Sequence, residues 1–320
     1  MFHRFSRRAL AVVVCAAACA SSAQNTDQVV KIVVPFGTAS STDLLAREIG
    51  QQMAVILKQT VIVENKPGAE GTIGAQAVLT AAPDGNTMFL TTSSTSVLDG
   101  LLRKSATIDP VKDFSPVCGV SKVGMVAYIT STLPFKTVHE FLAAAKAQPD
   151  KFTFGYSSPA TRLAGELFQQ QAGVKLRGIP YRTTAAAFVD VAGGQVDMFI
   201  NDATGASALY KAGKLRPIVT ATAQRVETVP EVPSAPEAGL AGFEMSPWFG
   251  TFVSAKTPPA MVARLRDAVT QAMKAPGVVA MLDRGGMQAL PICGDDLAKF
   301  QVADIDRWRE VIRKAGIQPE

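Results

Sequence analysis

Histidine, cysteine and net charge are all scarce in this chain, and each scarcity removes a class of function. Only two of 320 residues are histidine and four are cysteine. His139 reads as a solvated side chain in the first turn of a surface helix, beside Glu140. With no second histidine nearby and no close Cys/His/Asp spacing, the sequence writes neither a zinc site nor a nucleophile–histidine triad. No catalytic residue or metal ligand is therefore expected. Gly71-Thr72-Ile73-Gly74 resembles a phosphate loop only loosely, because the Gly-Lys-Ser/Thr that completes one is missing. The formal charge of +5 is small, and much of it comes from Arg4, Arg7 and Arg8. Without residues 1–23 the chain keeps 29 basic and 27 acidic side chains, a net +2. No Lys/Arg stripe remains, which removes the electrostatic warrant for binding nucleic acid or a membrane surface.

Long apolar runs are absent except for one, Ala9 to Ala20, which is too short to span a bilayer and follows the three arginines. That combination is a secretory signal, and the small residues Ser21 and Ala23 place the cut before Gln24. A soluble periplasmic product is expected. Cys15 and Cys19 lie inside the run, but neither Val14 nor Ala16 suits a lipid-anchored cysteine. The Ser6-Arg7-Arg8 run leaves twin-arginine export open as a second route. Of the four cysteines only Cys118 and Cys293 survive cleavage. In an oxidising compartment they either pair or stay as two buried thiols.

The remaining 297 residues alternate strands and helices. Lys31–Pro35, Thr60–Glu64 and Met88–Thr92 read as strands. Between them, Leu45, Ile49, Met53 and Ile56 recur at helical spacing, and Thr72 opens a short helix. After Leu133-Pro134 the pattern restarts. Thr137 and Glu140 have capping-box spacing, and Phe152–Tyr156, Gly178–Tyr181, Val196–Ile200 and Leu215–Thr220 follow as strands between helices. A loop rich in Pro, Gly and Ala spans Val229–Gly242. Beyond it come one strand, Trp248–Val253, and helices that cannot bury themselves alone. Returning them to the first unit gives two discontinuous lobes, 24–127 with 223–320, and 128–222. The chain then crosses near Met125–Thr130 and near Val219–Gln224. In open parallel sheets ligands sit beyond the carboxyl ends of the strands, here in the cleft between the lobes.

Four hydroxyl-rich loops follow strands and lead towards that cleft. They are Gly37-Thr38-Ala39-Ser40-Ser41-Thr42, Ser93-Ser94, Ser157-Ser158 and Thr183-Thr184. Each is ordinary capping when taken alone, but together they offer backbone N–H groups to an anion at the positive ends of helices.

Five segments carry a likeness to a known family: Ile32-Val33-Val34-Pro35-Phe36 through Thr42-Asp43; Val63-Glu64-Asn65-Lys66-Pro67-Gly68-Ala69 through Gly74; Ala82-Pro83-Asp84-Gly85; Pro180-Tyr181-Arg182; and Gly193-Gly194-Gln195-Val196-Asp197. In these the chain resembles the Bug-type solute receptors of tripartite tricarboxylate transporters along nearly its whole mature length. The resemblance implies an α/β fold of the two-lobed, type II Venus-flytrap kind. It also implies a small organic acid as ligand, held largely by main-chain groups and bridging water, a membrane permease as partner, no cofactor and no turnover. A monomer is expected. By position, Phe36 to Thr42, Ser93, Ser94, Ser157, Ser158 and Thr183 to Ala185 would line the pocket. Asp202, after the strand at Phe199 and Ile200, could accept a ligand hydroxyl or amine. Asp43 favours the amino end of its helix.

Two departures stand out. Ala39-Ser40 occupies the place of a family Gly-Gly pair, and the added Cβ atoms disfavour positive φ. Arg162 stands where the family commonly has a histidine; it either pairs with a ligand carboxylate or is a solvated arginine on a first helical turn. Two other functions stay open on the same scaffold: a sensor presenting solute to a membrane signalling partner, and an enzyme using Asp202 or Asp43 as base.

Overall fold

The computed structural model describes residues 29–104, 106–314 and 316–318. The signal segment at 1–23 lies outside these residues. Two mixed sheets organise the chain. The six-stranded sheet contains β1 (Val30–Val34), β2 (Val61–Asn65), β3 (Thr87–Thr92), β4 (Phe114–Val123), β10 (Trp248–Ser254) and β11 (Met287–Ala289), in the order β11-β4-β10-β3-β1-β2. The five-stranded sheet contains β5 (Met125–Thr130), β6 (Thr153–Tyr156), β7 (Arg177–Pro180), β8 (Met198–Asp202) and β9 (Leu215–Thr220), in the order β7-β6-β8-β5-β9. Each sheet has the same plan. A parallel trio, β2-β1-β3 or β7-β6-β8, is flanked by an antiparallel strand next to a crossing between the sheets, β10 or β5.

Within the trios the strands β1, β3, β6 and β8 are short and mostly buried, as strands covered on both faces must be, whereas the edge strands β2 and β7 are half-buried or exposed. Val30, Ile32, Val34, Met88 and Leu90 are buried against Leu45, Ile49 and Met53 of helix α1 (Ser41–Leu57). In the other sheet Phe152 and Phe154 are buried in a core with Phe141 and Phe168. The Thr137 side chain caps its helix through the Glu140 N–H. The Glu140 carboxylate accepts from Lys136 rather than from the cap residue itself.

Strand β4 was not expected from sequence. Pro116 and Gly119 interrupt its apolar pattern, and the strand accommodates them where its pairing with β10 slips register. Proline is tolerated at such irregular points. Between β4 and β5 only Gly124 intervenes, so the first crossing is a single residue. An added Cβ there would lie 2.5 Å from the Thr222 side chain.

The return crossing differs from the expected run Val219–Gln224. After β9 the chain stays with the second sheet: Thr220 N–H donates to Pro233 O, Tyr210 to Glu231, and Phe243 meets Phe168 edge-on. It returns only at Met245–Pro247, where Met125 N–H donates to Met245 O and Val123 N–H to Pro247 O. Buried side chains Val226, Val229 and Val232 explain the delay, since they complete the core around Tyr128 and Phe188. A chain segment read as a loop by composition is held by its valines.

Cys118 of β4 and Cys293 form a disulfide across 175 residues of chain. It fastens the segment before the last helix, α10 (Asp295–Lys314), onto the six-stranded sheet, next to the Gly119 N–H to Ile292 O bond. Among the described residues no helix is long and apolar enough to cross a membrane.

Ala39 does adopt positive φ, +63°. Its N–H donates to the Asp43 carboxylate at 2.9 Å, which holds the left-handed turn despite its steric cost. That cost is about 1–2 kcal/mol for a residue with a Cβ, partly offset by glycine's larger loss of freedom on folding. We therefore expect Ala39→Gly to raise unfolding stability by about 0.5–1 kcal/mol, read as a higher urea midpoint at unchanged slope; a lower midpoint contradicts the assignment. Reduction of the Cys118–Cys293 bond should lower stability by about 2–4 kcal/mol, measured by urea unfolding with and without reductant, and an unchanged midpoint would count against its bracing role.

Candidate functional site

The carboxyl ends of β1, β3 and β8, and both crossings, converge on one small cavity between the sheets. Phe36, Ser40, Ser41 and Thr42 line it from the first loop and Ser94 from the second. Ser158, Thr184 and Asp202 line it from the opposite lobe. These eight of the sequence-expected residues are brought together.

The others lie nearby without lining the space. Thr38 and Ala39 are exposed, as is Ala185 in the first turn of its helix. Gly37 presses against Thr183, so that a Cβ at Gly37 would come within 2.9 Å of the Thr183 methyl. Glycine permits this close approach of the two lobes. Ser93 sits behind its loop, accepting from the Trp248 N–H at 3.3 Å, and Ser157 bonds the Thr184 hydroxyl at 3.1 Å. Arg162 lines a different hollow, with Glu166 and Gln170, near Ile317. His139 lies in yet another, beside Tyr210 and Arg216.

Sequence reasoning missed Thr92, Met125, Ala160, Thr161, Asn201, Pro247 and Phe249, all of which line the cavity. Most lie at strand ends or crossing points. A search of those positions rather than of hydroxyl clusters would have found Met125, Asn201 and Pro247.

The four hydroxyl loops are not equivalent as anion donors. At α1 the Ser40 side chain caps the Asp43 N–H, while the N–H groups of Ser41 and Thr42 precede the first intrahelical bond and have no partner among the described residues. At α6 (Thr184–Ala192) the Thr183 side chain likewise caps the Ala186 N–H and leaves Thr184 and Ala185 without one. Helix α5 (Pro159–Ala172) is different. Both Ser157 and Ser158 N–H groups donate to the Thr161 hydroxyl, Pro159 has none to give, Ala160 donates to Ser94 Oγ, and Thr161 donates back to Ser158 Oγ. Its first turn is already satisfied. Open donors thus come from one helix of each lobe.

Two hydrogen bonds join the lobes across the cavity. Ser41 Oγ donates to Asp202 Oδ1 at 2.5 Å, and Ala160 N–H donates to Ser94 Oγ at 3.0 Å. Asp202 also caps helix α7 (Ala203–Lys211), accepting from the N–H groups of Thr204 and Gly205. Burial pushes the Asp202 carboxyl above the usual carboxylate range, against the lowering effect of Ser41 and the helix N–H donors. Asp43 behaves oppositely. Burial favours its neutral form, but Arg47, Asn65 and the Ala39 N–H outweigh it and hold the carboxyl below its ordinary value. Asn65 also donates to Phe36 O, so the Asp43–Asn65 pair fixes the shape of the first loop in addition to favouring the helix start.

The second loop is held from behind. Residues Ser94–Leu98 form a single wide π-type turn. Gln301 of α10, buried, donates through Nε2 to Ser96 O at 2.8 Å and reaches Pro110 O at 3.3 Å. Three residues along α10, Asp304 accepts from the Trp248 indole at 2.8 Å. Among the described residues no group of three His, Cys, Asp or Glu side chains is placed to hold a metal. Chemically, the cavity offers paired helix-start N–H groups, hydroxyls, an apolar side formed by Phe36, Met125 and Phe249, and one carboxylate.

Known proteins resemble this chain in sequence and fold. The family model described as "Tripartite tricarboxylate transporter family receptor" matches residues 45–317. Protein BugT of Bordetella pertussis is 30% identical over 290 residues, 90% of this chain and 89% of its own. MatC from Rhodopseudomonas palustris, solved with bound malate, superposes with a TM-score of 0.84 at 31% identity, covering 89% of this chain and 98% of that one. A second R. palustris protein, solved with adipate, gives 0.87 at 29% identity over 93% and 100% of the two chains. With the family model covering most of its length and BugT aligned over nearly all of it, this two-lobed chain belongs to the tripartite tricarboxylate transporter receptor family.

Proposed function

We propose that this chain is an extracytoplasmic receptor that binds a small carboxylate between its lobes and delivers it to the membrane permease of a tripartite tricarboxylate-type uptake system. One observation carries the reading: Ser41 and Thr42 at the start of α1 and Thr184 at the start of α6, whose N–H groups are open, line one cavity from opposite lobes, and among the described residues no lysine, arginine or histidine lines it. Helix-start N–H groups favour an anion through both hydrogen bonding and the helix dipole. An anion spanning both helices would stabilise the approach of the lobes, which a receptor needs in order to signal occupancy to a permease. The bound malate and adipate of the two solved relatives support a carboxylate of modest size.

The lobes in this reading are the two sheets with their helices, residues 222–244 moving with the second. They close about the paired backbone at Val123–Met125, Ala221 and Met245–Pro247. The protein acts as a monomer in the periplasm, without turnover, after removal of residues 1–23; amino-terminal sequencing of the periplasmic product should begin at Gln24.

Protein stripped of co-purified ligand should melt several degrees higher with one or a few members of an organic-acid panel that includes malate and adipate, since a ligand bound one-hundredfold above its Kd adds about 2.7 kcal/mol. No shift across the panel contradicts the reading. Gln301→Met, which keeps the side-chain volume but loses the donor to Ser96 O, should weaken the strongest binder at least fivefold by calorimetry while the folded circular dichroism spectrum is retained. Equal affinity would show that α10 does not position the second loop.

A further inference from the structure

Two successive N–H groups just beyond β6, those of Ser157 and Ser158, converge on one oxygen, Thr161 Oγ1, at 2.9 and 3.0 Å. Backbone N–H groups turned to a common point ahead of a helix are how main chain holds an anionic oxygen. Here the oxygen comes from the chain itself. The Thr161 hydroxyl sends its own proton to Ser158 O at 3.0 Å, so its lone pairs face the two donors. Thr161 is only 3% exposed, and Ser158, Ala160 and Thr161 all line the cavity.

That seat adjoins the proposed anion site. Ser157 Oγ and Thr184 Oγ1 are 3.1 Å apart, so the starts of α5 and α6 stand side by side. Left open, the α5 start would offer a second carboxylate its own donors in the same lobe. With Thr161 in place it offers none: Pro159 lacks an N–H, and the Ala160 N–H is on Ser94 Oγ. The rest of the lining gives a second anion little in exchange. Phe36, Met125, Pro247 and Phe249 are apolar, and Asp202, the one charged side chain among the described lining residues, has the sign of the ligand. Burying a second carboxylate there without matched donors or a countercharge is strongly unfavourable.

We propose that Thr161 determines specificity: its hydroxyl fills the anion seat at the start of α5, and the receptor therefore selects a solute with one carboxylate and an uncharged remainder. This rests on the receptor reading given above and narrows it. The single carboxylate lies on the N–H groups of α1 and α6, and the remainder packs against Phe36, Met125 and Phe249.

The test is calorimetric titration of two pairs matched in chain length, butyrate with succinate and hexanoate with adipate, into ligand-free wild type, Thr161→Ala and Thr161→Ser. Alanine removes the hydroxyl and leaves room for a ligand oxygen on the two N–H groups, while the N–H at position 161 keeps its bond to Ser158 Oγ. Circular dichroism and the melting temperature check that each variant folds. In wild type the monocarboxylate should bind at least about tenfold tighter than its dicarboxylate partner in at least one pair. In Thr161→Ala that preference should move about tenfold towards the dicarboxylate, and in Thr161→Ser, with the hydroxyl restored, it should return to within about twofold of wild type. A dicarboxylate that binds wild type as tightly as its partner overturns the proposal and leaves the receptor reading standing. So does an unchanged preference in folded Thr161→Ala, or a Thr161→Ser protein that behaves like Thr161→Ala. When none of the four acids binds wild type, the strongest binder of the wider panel decides: one carboxylate supports the proposal, and two or more overturn it. Should Thr161→Ala fail to fold, a crystal structure of wild type with its strongest binder takes its place. Thr161 Oγ1 still on both N–H groups supports the proposal, and a ligand oxygen there overturns it. Silence from the four acids and from the wider panel overturns both readings.

Discussion

A helix cannot bond its own first N–H groups, and the placement of two such starts decides what this molecule can hold. Ser41 and Thr42 begin α1 on one lobe, and Thr184 and Ala185 begin α6 on the other. Capping by Ser40 and Thr183 satisfies the third N–H of each and leaves the first two facing outward. At a partly buried site each helix start favours an anion by up to about 2 kcal/mol. In the proposed receptor, one anion shared between them would gain from both lobes at once, making binding and closure a single event. Among the described residues no basic side chain lines the cavity.

The surrounding structure holds these starts in place. Asp43, Asn65 and Arg47 tie the first loop to β2, and the left-handed turn at Ala39 depends on the same carboxylate. Behind the second loop, Gln301 and Asp304 connect α10 to Ser96 and Trp248, and the Cys118–Cys293 bond anchors the approach to that helix. At the crossings the lobes meet through backbone, in addition to the Ser41–Asp202 and Ser94–Ala160 bonds across the cavity. Val123, Met125, Ala221, Met245 and Pro247 exchange hydrogen bonds across three passages of the chain.

Much of this was legible before the structure. The parallel trios followed from runs of β-branched and aromatic residues, and the cleft followed from strand ends facing each other. The four hydroxyl loops were found by composition, and all four contribute at least one residue to the cavity. Their differences were not legible. Whether a helix start has N–H groups to offer depends on Thr161 folding its hydroxyl back onto Ser157 and Ser158, which is a matter of rotamer and register. Arg162 lies on the first turn of α5 but is buried rather than solvated, and it lines a hollow with Glu166 and Gln170 rather than the cleft. The late return at Met245 was hidden because Val226, Val229 and Val232 are isolated among prolines and polar residues. Pairing of Cys118 with Cys293 likewise needed a distance that spacing alone does not supply.

The central claim is that one carboxylate is held by helix starts from both lobes. A crystal structure of the protein with its strongest-binding acid tests this most directly. The account predicts carboxylate oxygens within about 3.2 Å of N–H groups from both the Ser41–Thr42 pair and the Thr184–Ala185 pair. A carboxylate bound to one lobe only, or neutralised by an arginine or lysine drawn into the cleft, would contradict it.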